Sequence, residues 1–169
     1  MKKLFLLAIV AIGFTAVSFG QASAPGHANA KATIQAAHSI SLGTDLSFGI
    51  FSIINPASGG TITLTDAGVA APINATAPAG ATASSFVLTG GTTDSYTLSF
   101  PTLPIPMKTG TGATEDEIMY VSTWLNSTGA LTGNLVGGVK TFTVGATLSF
   151  DGTEKAGNYV GEYAVTVNW

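Results

Sequence analysis

The chain has 169 residues, no cysteine and no arginine, and only 9% of its residues are charged, well below the usual quarter. Six lysines stand against nine carboxylates, a net charge of −3. Phosphate backbones are held by clusters of Lys and Arg, so nucleic acid is excluded as a partner. The missing thiols exclude cysteine catalysis and thiolate metal sites.

Met1-Lys2-Lys3 precedes an apolar run from Leu4 to Val17, and Ser18-Phe19-Gly20 ends on a small residue before Gln21. Charge, apolar run and small residue in that order predict a secretory signal over 1–20, cleaved near Gly20. The run is short for a membrane span of about 20 apolar residues, so membrane contact is expected only through this signal before cleavage. The expected destination is the periplasm, the cell surface or the medium of a bacterium. Cleavage removes Lys2 and Lys3 and leaves four lysines against nine carboxylates, a net charge of −5. What remains is large enough for one domain with a core of its own, without a disulfide staple.

Residues 21–29 are small and polar and read as a flexible tail. Ala30, Ala32, Ile34 and Ala36 alternate with Lys31, Thr33, Gln35 and Ala37, which predicts a first strand and opens a domain over 30–169. Ile62 and Leu64 follow Gly59-Gly60, and residues 66–83, rich in Ala, Pro, Gly and Thr, read as a long loop. Phe86 and Leu88 precede a Gly90-Gly91 turn. Tyr96, Leu98 and Phe100 alternate with Thr97 and Ser99 until Pro101 stops the run. Ile118, Tyr120 and Trp124 share one parity and Met119, Val121 and Leu125 the other, as in a strand covered on both faces. Phe142, Val144, Ala146, Leu148 and Phe150 alternate with small and polar residues. After the polar linker 151–158, Tyr159, Gly161, Tyr163, Val165, Val167 and Trp169 share a face over eleven residues, so the two runs read as a hairpin. No amphipathic helix follows residue 20. The pattern predicts an all-β fold, an immunoglobulin-like or pilin-like antiparallel β-sandwich behind the signal peptide.

Several of these stretches together resemble the bacterial family called domain of unknown function 4402. They are Ala30–Ala37, Asp45-Leu46-Ser47-Phe48-Gly49, Gly59-Gly60-Thr61-Ile62-Thr63-Leu64, Ser85–Gly90 with Tyr96–Pro101, and Met119-Tyr120-Val121-Ser122. The ending is the most specific: Val144-Gly145-Ala146-Thr147-Leu148, Ala156–Gly161 and Val165-Thr166-Val167-Asn168-Trp169. Trp169 stands where the family pattern has Tyr or Phe. The resemblance implies a small exported all-β domain, pilin-like in general character, and brings no catalytic residue with it.

The side chains present do not assemble a reaction centre on paper. His27 and His38 are the only imidazoles. A general base needs a partner and an orienting group, and His38, beside an alanine-rich strand, reads as a surface residue. His38→Ala is therefore expected to change stability by no more than about 0.5 kcal/mol, the usual scale at the surface. Glu115-Asp116-Glu117 is the one dense acidic run. It reads as a solvated loop, with a calcium site as the alternative, since calcium takes several oxygen ligands. Asp151-Gly152-Thr153-Glu154 reads as a turn. Asn74-Ala75-Thr76 and Asn126-Ser127-Thr128 match the glycosylation triplet, common by chance in a Thr-rich chain. Trp124 reads as packing before sugar stacking. Gly110-Thr111-Gly112 lacks the frame of a nucleotide loop. No catalytic, cofactor-binding or metal residue is assigned, no cofactor is expected, and the chain is not expected to be an enzyme.

Three functions remain in view. The first is a structural subunit of a filament or surface layer, joined to itself by strand exchange through Ala30 to Ala37 or to other surface proteins. The alternative is a monomeric secreted adhesin or glycan-binding module using loops 66–83 and 102–117. The third is a small outer-membrane barrel.

Overall fold

The computed structural model describes residues 29–110 and 118–169. The predicted signal over 1–20, residues 21–28 of the predicted tail, the acidic run Glu115–Glu117 and the pair Thr111-Gly112 lie outside the described residues. The chain falls into two compact units, Met1–Thr33 and Ile34–Trp169, and the strands found among the described residues lie in the second.

The fold is organised around one long strand, β9 (Val139–Phe150). Its alternating residues Phe142, Val144, Ala146, Leu148 and Phe150 are all buried, as their period of two requires. Val144 pairs with both Ser84 and Asn126, and Leu148 with both Ile62 and Val121. So β4 (Ser84–Thr89) and β2 (Gly60–Leu64) lie end to end along one edge of β9, while β7 (Ile118–Asn126) takes the other. β1 (Ser39–Thr44) continues the sheet beyond β4, β3 (Ala70–Ile73) beyond β2, and β6 (Ile105–Lys108) beyond β7; every pairing is antiparallel. Gly145 marks the exchange of partners. A Cβ there would collide with the carbonyl of Leu64 and the backbone of Thr65, so glycine alone lets the two strands meet.

Two core clusters follow from this exchange. Along the first half of β9, Phe86, Leu88, Phe142 and Val144 pack against Tyr96, Leu98 and Leu135. The second layer here is a three-stranded sheet of β10 (Thr166–Asn168), β5 (Ser95–Ser99) and β8 (Thr132–Asn134). Along the second half, Ile62, Leu64, Met119, Val121, Leu148 and Phe150 pack against Phe48 and Ala75. There the second layer is an irregular ribbon. Ser47 pairs with Thr82, Ile50 with Ala79 and Ile53 with Ala75, carrying the β1–β4 pairing onward in nearly the same register. Gly49, at φ +72°, brings its own α-carbon so close to Ala79 and Ala81 that a side chain would clash with both backbones.

The two layers with open sheet edges confirm an all-β antiparallel sandwich and exclude a closed barrel, so the outer-membrane barrel reading is set aside. Other expectations are corrected. Ala30–Ala37 forms no strand; the first strand is Ser39–Thr44. Alternation alone does not supply a partner strand, and this segment has none in its own domain. Residues 66–83 are not one loop, because they contain β3 and one side of the ribbon. β3 carries Pro72, which is tolerated because this is an edge strand. The runs 139–150 and 159–169 are not a hairpin: β9 and β10 belong to different sheets, and β10 pairs with β5. Their shared feature, one half-buried face, is nonetheless present at Tyr163, Val165 and Val167. β7 is not covered on both faces, since Tyr120 is exposed. Its register shifts between Ser122 and Leu125, where Thr123 takes φ 53°. That bulge re-aims Trp124 inward.

Candidate functional site

A groove of about 660 Å³ opens on the irregular side of the sandwich. One wall is the ribbon segment 46–53 and the other is 154–159, with Met107, Met119 and Leu148 between them. Leu148 and Met119 belong to the core, so the groove opens onto the interior of the sandwich. The walls add Phe48, Phe51, Ile53 and Tyr159. Beyond the second wall, Val160 bonds to Lys108 of β6 through both backbone groups at 2.9 Å. The groove is therefore bordered by the 46–53 ribbon and by a segment joined to the β6 edge, with apolar side chains lining it. Concave, mostly apolar and lined by few charges, it can take up apolar groups.

The second wall is held by its own turn. Glu154 accepts from the amides of Asp151 and Gly152 at 2.7 and 2.8 Å, and Asp151 Oδ1 accepts from the Thr153 amide and hydroxyl at 2.8 and 2.6 Å. The turn reading of this stretch is correct: its carboxylates are engaged with their own backbone. No cluster of three or more metal-ligating side chains occurs among the described residues.

His38 lies at the opposite end of β1. Asp94 Oδ2 accepts from His38 Nε2 at 2.7 Å and from the Gly91 amide at 2.6 Å. The bond from His38, then that from Gly91, holds the Asp94 carboxyl below its ordinary range. The imidazole stacks on Trp169, with centroids 4.5 Å apart and planes 21° from parallel. Gly90 and Gly91 make the space, since a Cβ at either would meet His38 or Asp94 within 3 Å. Three distant pieces of chain, at residues 38, 94 and 169, are thus tied at one surface point. Nothing in the sequence joined Asp94 or Trp169 to His38. The neighbouring hydroxyl, Ser39 Oγ, bonds instead to Thr89 Oγ1 at 2.6 Å.

Trp124 is a packing residue at the meeting of the two cores. It stacks on Tyr163 at 4.5 Å, and its Nε1–H donates to the Pro101 carbonyl at 3.1 Å. Tyr163 donates to Ser84 at 2.5 Å, and buried Ser84 donates to the Val144 carbonyl at 3.2 Å. Burial raises the Tyr163 phenol above its ordinary value, against the opposite pull of Ser84. The Asn74 amide, at φ 58°, is engaged with the backbone of Asn55 and Ser58, and Asn126 caps its own turn through Thr128. Both triplets serve local structure.

No curated protein and no solved structure matches the chain. The model of the family Domain of unknown function (DUF4402) matches residues 38–169, from the residue that ties down β1 to the last of the chain, and the protein belongs to that family.

Proposed function

We propose that the protein is an exported, non-enzymatic structural subunit of the bacterial surface, pilin-like in the sense that copies join through strands. The observation that carries this reading is the state of the segment before β1. Ile34–Ala37 pairs with no strand, and Ile34 is 96% exposed. A β-branched residue in an alternating segment, outside the sheet that follows it, is more useful to a neighbour than to its own domain.

The edge beside it supports the same reading. All six residues of β1 are exposed, and Leu42, 56% exposed, presents an apolar side chain there. Among the described residues β1 pairs only with β4. An unpaired edge bearing apolar residues is a template for further strands. The composition agrees: Thr and Ser on solvated strand faces, with few charges, suit close approach of like copies.

The test is fractionation of the producing cell with N-terminal sequencing of the recovered protein. The expected product begins at Gln21, lies outside the cytoplasm and runs on gels as a heat-labile ladder of multimers. An intact Met1 retained in the cytoplasm contradicts export. A strictly monomeric protein at every concentration contradicts the subunit reading.

A further inference from the structure

We propose that the groove between residues 46–53 and 154–159 is a strand slot, filled in the assembled protein by Ala30–Ala37 of a second copy. This rests on the subunit reading above and names its acceptor.

The slot has the features a strand needs. On the ribbon wall, the backbone bonds of Ser47, Ile50 and Ser52 go to Thr82, Ala79 and Thr76 on the far side. Among the described residues the backbone groups of Phe48 and Phe51 meet no backbone partner, and Ile53 faces Ala75 in a bridge whose hydrogen bonds belong to Ser52 and Ile54. These three residues line the groove, so this wall is a half-satisfied sheet edge. A strand laid alongside would bond these peptide groups in place of water. Beneath it, Met119 and Leu148 supply an apolar floor.

The arm matches the slot in length, shape and charge. Ala30–Ala37 has eight residues, as does the wall from Leu46 to Ile53, about 26 Å each as strand. Its alternate residues Ala30, Ala32, Ile34 and Ala36 present one branched side chain among methyl groups, a profile for a shallow apolar groove. An extended arm of this size exposes about 1,100 Å² at the usual area per dalton. Lys31, the arm's only charge, lies on the other parity and remains outside, while residues 38–169 carry three lysines against nine carboxylates. A basic arm is thus drawn to an acidic body.

Geometry favours a second copy over the arm's own groove. The arm joins β1 at His38, and the β1–β4 pairing runs on from there through Ser47 to Ile53. The arm therefore starts at the end of this ribbon farthest from the groove. Along the ribbon, His38 to Leu46 is about 26 Å, and eight extended residues span at most about 29 Å. All of the arm would be spent reaching the near end of its own slot. A head-to-tail contact of this kind does not close and makes an open polymer.

The native chain has no cysteine, which makes disulfide trapping clean. Mature Ile34→Cys protein is mixed under mild oxidant with mature Phe51→Cys, with Asn158→Cys, or with Leu131→Cys, an exposed position outside the groove. Phe51 and Asn158 probe opposite walls, so failure of one variant to fold leaves the other. The slot predicts mixed dimers with both wall variants, at least tenfold above the Leu131→Cys control. Equal yields for all three, or none above control from folded wall variants, overturn it. Multimers that persist on cells without wall cross-links overturn the slot and leave the subunit reading standing; cross-links absent from a protein that is everywhere monomeric remove both.

Discussion

Tyr163 and Ser84 set the sharpest demands at the scale of single residues. The phenol is wedged between Trp124 and Phe86, and its proton has one acceptor, a serine that is itself fully buried. Ser84→Ala leaves that hydroxyl unsatisfied, so a loss of about 1–3 kcal/mol in unfolding free energy is expected by urea titration. The raised pKa adds a pH signature. A group whose proton is held more tightly in the folded state contributes stability below its unfolded value, ordinarily 10.0, and loses it as pH rises through the folded value. Urea midpoints of the native protein should therefore fall more steeply above pH 10 than those of Tyr163→Phe; parallel curves would show that the phenol is not protected. At acid pH the sign reverses for Asp94. Its lowered carboxyl supports the fold above the ordinary carboxyl range and releases His38 as pH falls through the folded value. The Trp169 indole resonance, which senses the stacked imidazole, should shift in that window, and the shift should vanish in Asp94→Asn. None of these partnerships was legible beforehand. Tyr163 and Val144 were each placed on a buried face by their alternation, but Ser84 looks like any surface serine, and contacts separated by 56 or 79 residues leave no periodic trace.

Individual strands were read well where one face is buried, because period two then repeats over many residues. β9, β5 and β4 are of this kind, and so is the half-buried face that ends in β10. Pairing was not legible. The runs that end in Phe150 and begin at Tyr159 have equally good alternation whether they form a hairpin or cross between layers, and the linker fits both. The choice is made by Gly145, which lets β2 and β4 share one edge of β9, and by the Glu154 turn, which turns the chain away. Gly145→Ala forces a methyl into the backbone of Leu64 and Thr65. A destabilisation of at least about 2 kcal/mol is expected, against well under 1 kcal/mol for Thr141→Val on the same strand's exposed face. Comparable midpoints for the two variants would mean that the strand exchange at Gly145 is wrong. The 46–53 ribbon and its groove were invisible for a different reason. Irregular pairing every third residue has neither the period of a strand nor that of a helix, so Phe48, Phe51 and Ile53 carried no pattern.

For the molecule as a whole, the features beyond the family match point the same way. A segment with strand alternation stands outside the sandwich, an edge strand is unpaired, and a groove in the irregular layer has one backbone wall unsatisfied. Each alone is a liability, since free edges promote uncontrolled association. In the proposed assembly they are a donor and an acceptor of like length in one chain. Ile34→Asp, at a position that touches nothing in its own sandwich, should keep the circular dichroism of an all-β protein and reduce multimers at least tenfold. An unchanged ladder would place the contact elsewhere. The central claim is that the protein builds a polymer at the cell surface, and the most direct measurement is negative-stain microscopy of material sheared from producing cells, labelled with an antibody to this chain. The account predicts filaments or sheets labelled along their length from native cells and none from cells making only the Ile34→Asp protein. Sheared material without any labelled polymer, with the protein recovered as a monomer, would contradict it.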